Sequence, residues 1–178
     1  MDTFRASVAR MAVEEGANII NDVSGGADPD MFATAASLKV PYVLMHMRGT
    51  SENMQELTDY KDVATDVVCE LSGKLAQLHQ AGVADVIIDP GFGFAKTMEQ
   101  NYELLGGLEA FGILGCPVLV GVSRKSMLTK LLDIDTADAL VPTAVAGAFA
   151  LDHGAAILRV HDVRAARQTI QIFNAIKA

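Results

Sequence analysis

The chain has 178 residues, 51% hydrophobic and 20% charged, too apolar for a disordered segment and too short for a closed eight-unit βα barrel of about 250 residues. Fourteen basic against 22 acidic residues give a net charge of −8, which repels nucleic acid and anionic membranes unless the cations gather in one place. No apolar run is long enough for a membrane span, MDTFRASVAR lacks the apolar stretch of a secretory signal, and Cys69 and Cys116 read as free thiols of a cytoplasmic protein.

In chain order, residues 2–15 read as a helix with Phe4, Val8, Met11 and Ala12 on one side, ended by Gly16. Residues 17–23 are a short apolar strand broken by Asn18, Asn21 and Asp22, and Ser24-Gly25-Gly26 is a loop. Asp28 has the place of an N-cap, with Pro29 at the first helical position of a helix running to about Lys39. The strand PYVLM (41–45) leads to a polar loop over 48–58. The longest helix, about 59–81, carries the stripe Val63, Val67, Leu71, Leu75 and Leu78 and stops at Gly82. A strand at 85–89, a glycine-rich loop at 90–97 and a helix at 99–111 follow. Next come a strand at 117–122, a helix opened by Ser123-Arg124-Lys125-Ser126 and an alanine-rich helix at 136–153. The last strand is 155–160, and the last helix is 162–178, with Val163, Ala166, Ile170 and Phe173 on its inner face.

Five short, continuously apolar strands, each followed by helix, predict an α/β fold with a parallel sheet buried on both faces, over one domain of residues 1–178. On strand count alone, a five-stranded flavodoxin-like sheet fits as well.

Ligands of such folds lie at the carboxyl ends of the strands. There the successive strands deliver Asn21 and Asp22; His46 and Arg48; Asp89 with PGFGFAK ending in Lys96; Ser123, Arg124, Lys125 and Ser126; and Arg159, His161 and Asp162. Five of the fourteen basic residues, Arg48, Lys96, Arg124, Lys125 and Arg159, thus fall on one rim, an arrangement suited to a small anion such as phosphate or pyrophosphate. SRKS at a helix start adds backbone N–H donors. Solvated surface charge is the competing reading. Asp89 closes the strand DVIID just before Pro90-Gly91, and a carboxylate there needs donors to stay ionised, which a ligand with two adjacent N–H groups supplies. Asn21 holds the equivalent place on its own strand. Both residues could instead cap neighbouring backbone, and His46 could be a structural histidine. Phe92 and Phe94 are core plugs or an aromatic wall for a flat substrate. Arg159 and His161, two apart on a strand, leave the same face.

The strings NIINDVSGG (18–26), VLMHMRGT (43–50), IIDPGFGFAKT (87–97), NYELL (101–105), LVGVSRKSML (119–128) and ILRVHDV (157–163) resemble dihydropteroate synthase, in the right order along the whole chain. The resemblance implies a TIM (β/α)8 barrel of folate biosynthesis. Such an enzyme joins para-aminobenzoate to 6-hydroxymethyl-7,8-dihydropterin pyrophosphate, releases pyrophosphate, uses Mg2+, is inhibited by sulfonamides and forms a homodimer. It also implies roles. Asp2, Asn21 and Asp89 line the pterin pocket, with Lys125 against the pterin carbonyl and ring nitrogen and Met45 and Gly121 on the ring faces. Arg159 and His161 hold the pyrophosphate, Ser126 the aminobenzoate carboxylate, and Phe94 flanks the aminobenzoate ring. Lys125, Arg159 and His161 are the implied catalytic residues.

Met-Asp-Thr at the start matches the tail of the family's third strand, so the five strands correspond to the fourth to eighth of the barrel. The expectation is a chain without the upstream loops that carry the family's Mg2+-binding Asn and a Thr-Arg pair near the aminobenzoate, holding no metal ligand itself and turning over poorly alone. Two alternatives stand beside this reading. One is a methyltetrahydrofolate:corrinoid methyltransferase-like pterin binder, which has no need of the SRKS and RVHDV anion sites. The other is a non-catalytic pterin- or phosphate-binding fragment.

Overall fold

The computed structural model describes residues 1–178. Five parallel strands form one sheet: β1 (Ile20–Asp22), β2 (Tyr42–Met45), β3 (Val86–Asp89), β4 (Val118–Val120) and β5 (Ala155–Leu158). Their order across the sheet equals their order in the chain. A flavodoxin-like sheet reverses direction at a switch point, so the sequential order excludes that alternative and is instead the arc of a (β/α)8 barrel.

The helices are α1 (Ala6–Glu14), α2 (Met31–Leu38), α3 (Val63–Ala81), α4 (Met98–Gly106), α5 (Ser126–Leu132), α6 (Leu140–Asp152) and α7 (Val163–Lys177). Alternate strand residues Ile20, Tyr42, Leu44, Val86, Ile88, Val118 and Val120 join the α3 stripe Val63, Val67, Leu71, Leu75 and Leu78 in one hydrophobic core. The intervening residues Asn21, Val43, Met45, Ile87, Asp89 and Leu119 are outside that core and face the concave side, as the two-residue period of a strand requires.

Several boundaries differ from the sequence reading. The first helix begins at Ala6, not Asp2, because residues 1–3 run beside β1: Asn21 N–H donates to Met1 O at 2.8 Å and Thr3 N–H to Asn21 O at 3.1 Å. Asp28 does not cap α2. Its carboxylate accepts from Ala6 N–H at 2.8 Å and Asp30 N–H at 3.0 Å, so it tethers the start of α1, and α2 begins at Met31. α3 starts at Val63, where Asp62 accepts from Thr65 N–H at 2.7 Å. The helix expected over 99–111 ends at Gly106 and continues as a 3-10 segment, Leu108–Leu114; a further 3-10 turn, Thr136–Asp138, precedes α6. α7 packs against α6 with no fully buried residue, and Val163 is exposed rather than facing inward.

The β4–β5 register slips between Val118, opposite Ala155, and Leu119, opposite Ile157. This bulge re-phases β5, so Ile157, Arg159 and His161 face the same side as Leu119, Gly121 and Ser123. No helix is long and apolar enough to cross a membrane.

Candidate functional site

The polar residues converge at the carboxyl ends of the strands. Asp2, Gly121, Ser123, Lys125, Arg159 and His161 line one cavity of about 350 Å³. Asp2 reaches it through its bridge to β1, and its carboxylate accepts from Asn21 Nδ2. It lies 3.9 Å from the Arg159 guanidinium. Asn21 Oδ1 is buried with no partner. A buried acceptor left open is uncommon in a folded protein and asks for a donor.

Asp89 ends β3, 2% exposed. Its Oδ1 accepts from Gly91 N–H at 2.8 Å. Burial pushes its carboxyl above the usual range, opposed by the Gly91 hydrogen bond and by the charges of Lys125, Arg159 and Lys96. Lys125 precedes α5 and donates from Nζ to Phe92 O, with Nζ 4.7 Å above the Phe94 ring. Desolvation lowers its pKa to about 8, with Asp89 holding it up and Arg159 pushing it down. The ammonium is therefore able to give up a proton near neutral pH.

On the cavity wall the Arg159 guanidinium covers Gly121, where a β-carbon would meet Nε at 3.3 Å, while Asn21, Met45, Asp89 and Phe94 are not among the residues that line the cavity. Ser123 Oγ and His161 Nδ1 are 2.9 Å apart, and His161 N–H donates to Ser123 Oγ at 3.2 Å. Arg159 and His161 thus share a face, as their spacing implies. Ser126 is exposed at the first residue of α5. Met45 is 1% exposed on the concave face of β2, and Phe92 is fully buried as a core plug.

Three of the five rim cations are not free for an anion. The Arg48 guanidinium pairs with Glu70, donates to Asp59 O at 2.6 Å and lies 3.7 Å over the Tyr60 ring. Arg124 is locked to Asp162 by two hydrogen bonds of 3.0 Å. Lys96 is 3% exposed and its Nζ is spent inside the glycine loop. Lys125 and Arg159 remain. Asp22 likewise serves structure: its carboxylate accepts from Ser24 N–H, Ser24 Oγ, Gly26 N–H and Tyr42 OH at 2.6–2.8 Å. Sequence reasoning missed Glu70, a carboxylate in the middle of α3 with no motif around it. It also missed the use of Asn101, which accepts from Gly93 N–H at 2.6 Å.

No three His, Cys, Asp or Glu side chains come together in a group able to hold a metal ion.

Residues 1–161 match the model of the family described as pterin binding enzyme. The chain belongs to the pterin-binding enzyme family. It is 43% identical to the dihydropteroate synthase of Synechocystis over 99% of this chain, and spans 62% of that relative's length. Among solved structures it is similar to the dihydropteroate synthase of Stenotrophomonas maltophilia, with a TM-score of 0.95 and 40% identity over 99% of this chain and 68% of that one. It is also similar to the Thermus thermophilus enzyme in complex with 6HMPPP, with a TM-score of 0.96 and 39% identity over 99% of this chain and 71% of that one. Within this family, the polar cluster at the strand ends falls in the segment the family model covers.

Proposed function

We propose that this chain carries the pterin and pyrophosphate half of a dihydropteroate synthase site. The observation that carries the reading is the pairing of buried, under-used acceptors with two cations on the cavity wall. Asn21 Oδ1 has no partner and the buried Asp89 carboxylate has one N–H, while Lys125 and Arg159 flank the cavity. The aminopyrimidinone edge of a pterin offers adjacent N–H donors, and a carboxylate accepts two of them. A ring without those donors leaves the acceptors unpaired and is rejected. Lys125 then faces the ring carbonyl, with Met45 and Gly121 against the ring faces. Arg159 and His161 face the pyrophosphate, and Phe94 and Ser126 face para-aminobenzoate. The 6HMPPP and 4-aminobenzoate complexes of the Thermus relative support these ligands, and the Yersinia pestis relative solved with a sulfonamide drug supports that inhibitor class.

In the reaction, the C–O bond at the exocyclic CH2 of the pterin breaks early, pyrophosphate leaves with the bonding electrons, the electron-rich pterin carries the positive charge, and the arylamine of para-aminobenzoate attacks that carbon. The amine proton passes to solvent or to the departing anion. Arg159 and His161 supply charge and hydrogen bonds where negative charge collects on the departing pyrophosphate. A corrinoid methyltransferase gives that cationic end no task.

We infer further that the chain alone binds pterin weakly and turns over poorly, because the Asp2 side chain is 65% exposed and that of Arg159 40%, leaving the anion end open to water. A homodimer in the cytoplasm is part of the same reading: Val141, Val145 and Phe149 of α6, 69%, 66% and 43% exposed, line an apolar groove against α5, a face larger than lone surface residues account for. Calorimetric titration with 6-hydroxymethyl-7,8-dihydropterin pyrophosphate, beside a turnover assay with para-aminobenzoate and the Synechocystis enzyme as reference, tests the proposal. Binding of the pterin with little turnover supports it. No pterin binding defeats the site, and turnover equal to the reference defeats the second inference.

A further inference from the structure

Lys96 is a buried cation without a role in the chemistry above. Its Nζ touches three acceptors: Gly91 O at 3.1 Å, Phe94 O at 3.0 Å and His46 Nδ1 at 3.0 Å. An ammonium has three donors, so every one is used. His46 Nδ1 accepts only when the ring proton sits on Nε2, and Nε2 lies 3.0 Å from Glu70 Oε2. The network therefore fixes the tautomer. Burial keeps His46 neutral, with a pKa lowered to about 4. Glu70 is held in turn by Arg48, whose guanidinium lies over Tyr60, and the Tyr60 hydroxyl donates to Ala95 O at 3.0 Å. A chain of polar contacts thus runs from the middle of α3 through the end of β2 into the glycine loop. That loop bears Phe92 O, which receives Lys125 Nζ, and Phe94, whose ring lies beneath it.

We propose that Lys96 is a positioning residue: its ammonium, anchored through His46 to Glu70, folds residues 91–96 into the shape that holds Lys125 in place for the pterin. The proposal rests on the pterin reading of the rim. A loop drawn around a single cation keeps its carbonyls converged only while the cation is there. Deprotonation removes one of three donors and turns the lone pair toward a carbonyl or the His46 nitrogen. The charged groups around Lys96 oppose one another: Asp89 and Glu70 favour the ammonium, Lys125 and Arg48 disfavour it, and desolvation leaves it titrating at about 7.

Lys96→Met keeps the length and removes the donors. Hydrogen exchange of the amides of Gly91, Gly93 and Phe94 is expected to quicken about tenfold in this variant, the factor expected from losing a hydrogen bond to a charged group, with α3 amides unchanged. The dihydropterin pyrophosphate Kd is expected to rise by a similar factor. Unchanged loop exchange, or an unchanged Kd where the wild type binds, overturns the proposal. His46→Gln, which accepts from Lys96 and donates to Glu70 as histidine does, and His46→Leu, which does neither, form a second pair. Should Lys96→Met not fold, wild-type loop exchange in the first and quickened exchange in the second support the proposal, and equal exchange in both overturns it. If wild type fails to bind the pterin while Lys96→Met still loosens the loop, the pterin reading fails and the loop anchor stands.

Discussion

Replacing Gly91 by alanine probes how closely the glycine loop is drawn against its neighbour. Gly91 has φ +72°, and a β-carbon built there lies 2.1 Å from His46 O and 3.1 Å from the His46 carbonyl carbon. Both atoms are backbone, so no rotamer relieves the overlap, and the loop must retreat by roughly 1 Å or more to restore van der Waals contact. The left-handed conformation alone costs an alanine about 1 kcal/mol. Retreat also stretches the Gly91 N–H bond to Asp89, 2.8 Å, and the Lys96 bond to Gly91 O, 3.1 Å. Each involves a charged group and is worth about 1.5–3 kcal/mol, so weakening both brings the loss to about 3–4 kcal/mol. Gly82 is the control: it ends α3 at φ +97° with nothing within 4 Å of a built β-carbon, so its alanine variant loses only the conformational cost, about 1 kcal/mol. Urea unfolding of both variants at matched m-values reads the difference, and calorimetry with dihydropterin pyrophosphate reads the loss of affinity expected for Gly91→Ala alone. Equal destabilisation at the two positions refutes the backbone contact as the reason for glycine here.

Asp89→Asn is expected to weaken pterin binding about 100-fold, as a charge-assisted acceptor pair is lost; wild-type affinity by calorimetry contradicts the assignment. His46, 2% exposed, has its pKa lowered by burial from 6.5 to about 4. The unfolded chain therefore takes up a proton below pH 6.5 that the folded chain refuses until about 4, and roughly 3 kcal/mol of stability present above pH 6.5 is lost across that interval. Urea midpoints measured from pH 4 to 8 should fall along that window and lose the slope in His46→Gln; a flat profile in wild type contradicts it. The proposed homodimer predicts that Val145→Glu, on the exposed face of α6, sediments as a monomer where the wild type sediments as a dimer, with stability changed by no more than about 0.5 kcal/mol; an unchanged mass tells against that face.

The strands and the rim were legible because each strand is a continuous apolar run and its first polar residues necessarily sit at the carboxyl end. Asn21, Asp89, Lys125, Arg159 and His161 follow from that rule together with the motifs. The fate of the other cations was not legible, because it depends on partners far away in sequence: Glu70 for Arg48, Asp162 for Arg124, and two carbonyls with His46 for Lys96. Asp28 shows the same thing at a helix end. Its side chain has the composition of a cap for α2, yet the open N–H group it satisfies belongs to Ala6, 22 residues earlier. The bulge before Leu119 leaves no local mark either, although it turns Arg159 toward the cavity.

The strand order has a consequence for how the protein is made. Each strand pairs with the one immediately before it in the chain, so a strand leaving the ribosome meets a neighbour already synthesised and waits for none still to come. Loop closure spans one helical connection at a time, which keeps the entropic cost of each pairing low. The cationic end of the cavity depends on Arg159 and His161, which are synthesised after Asp2, Gly121, Ser123 and Lys125 on the same wall.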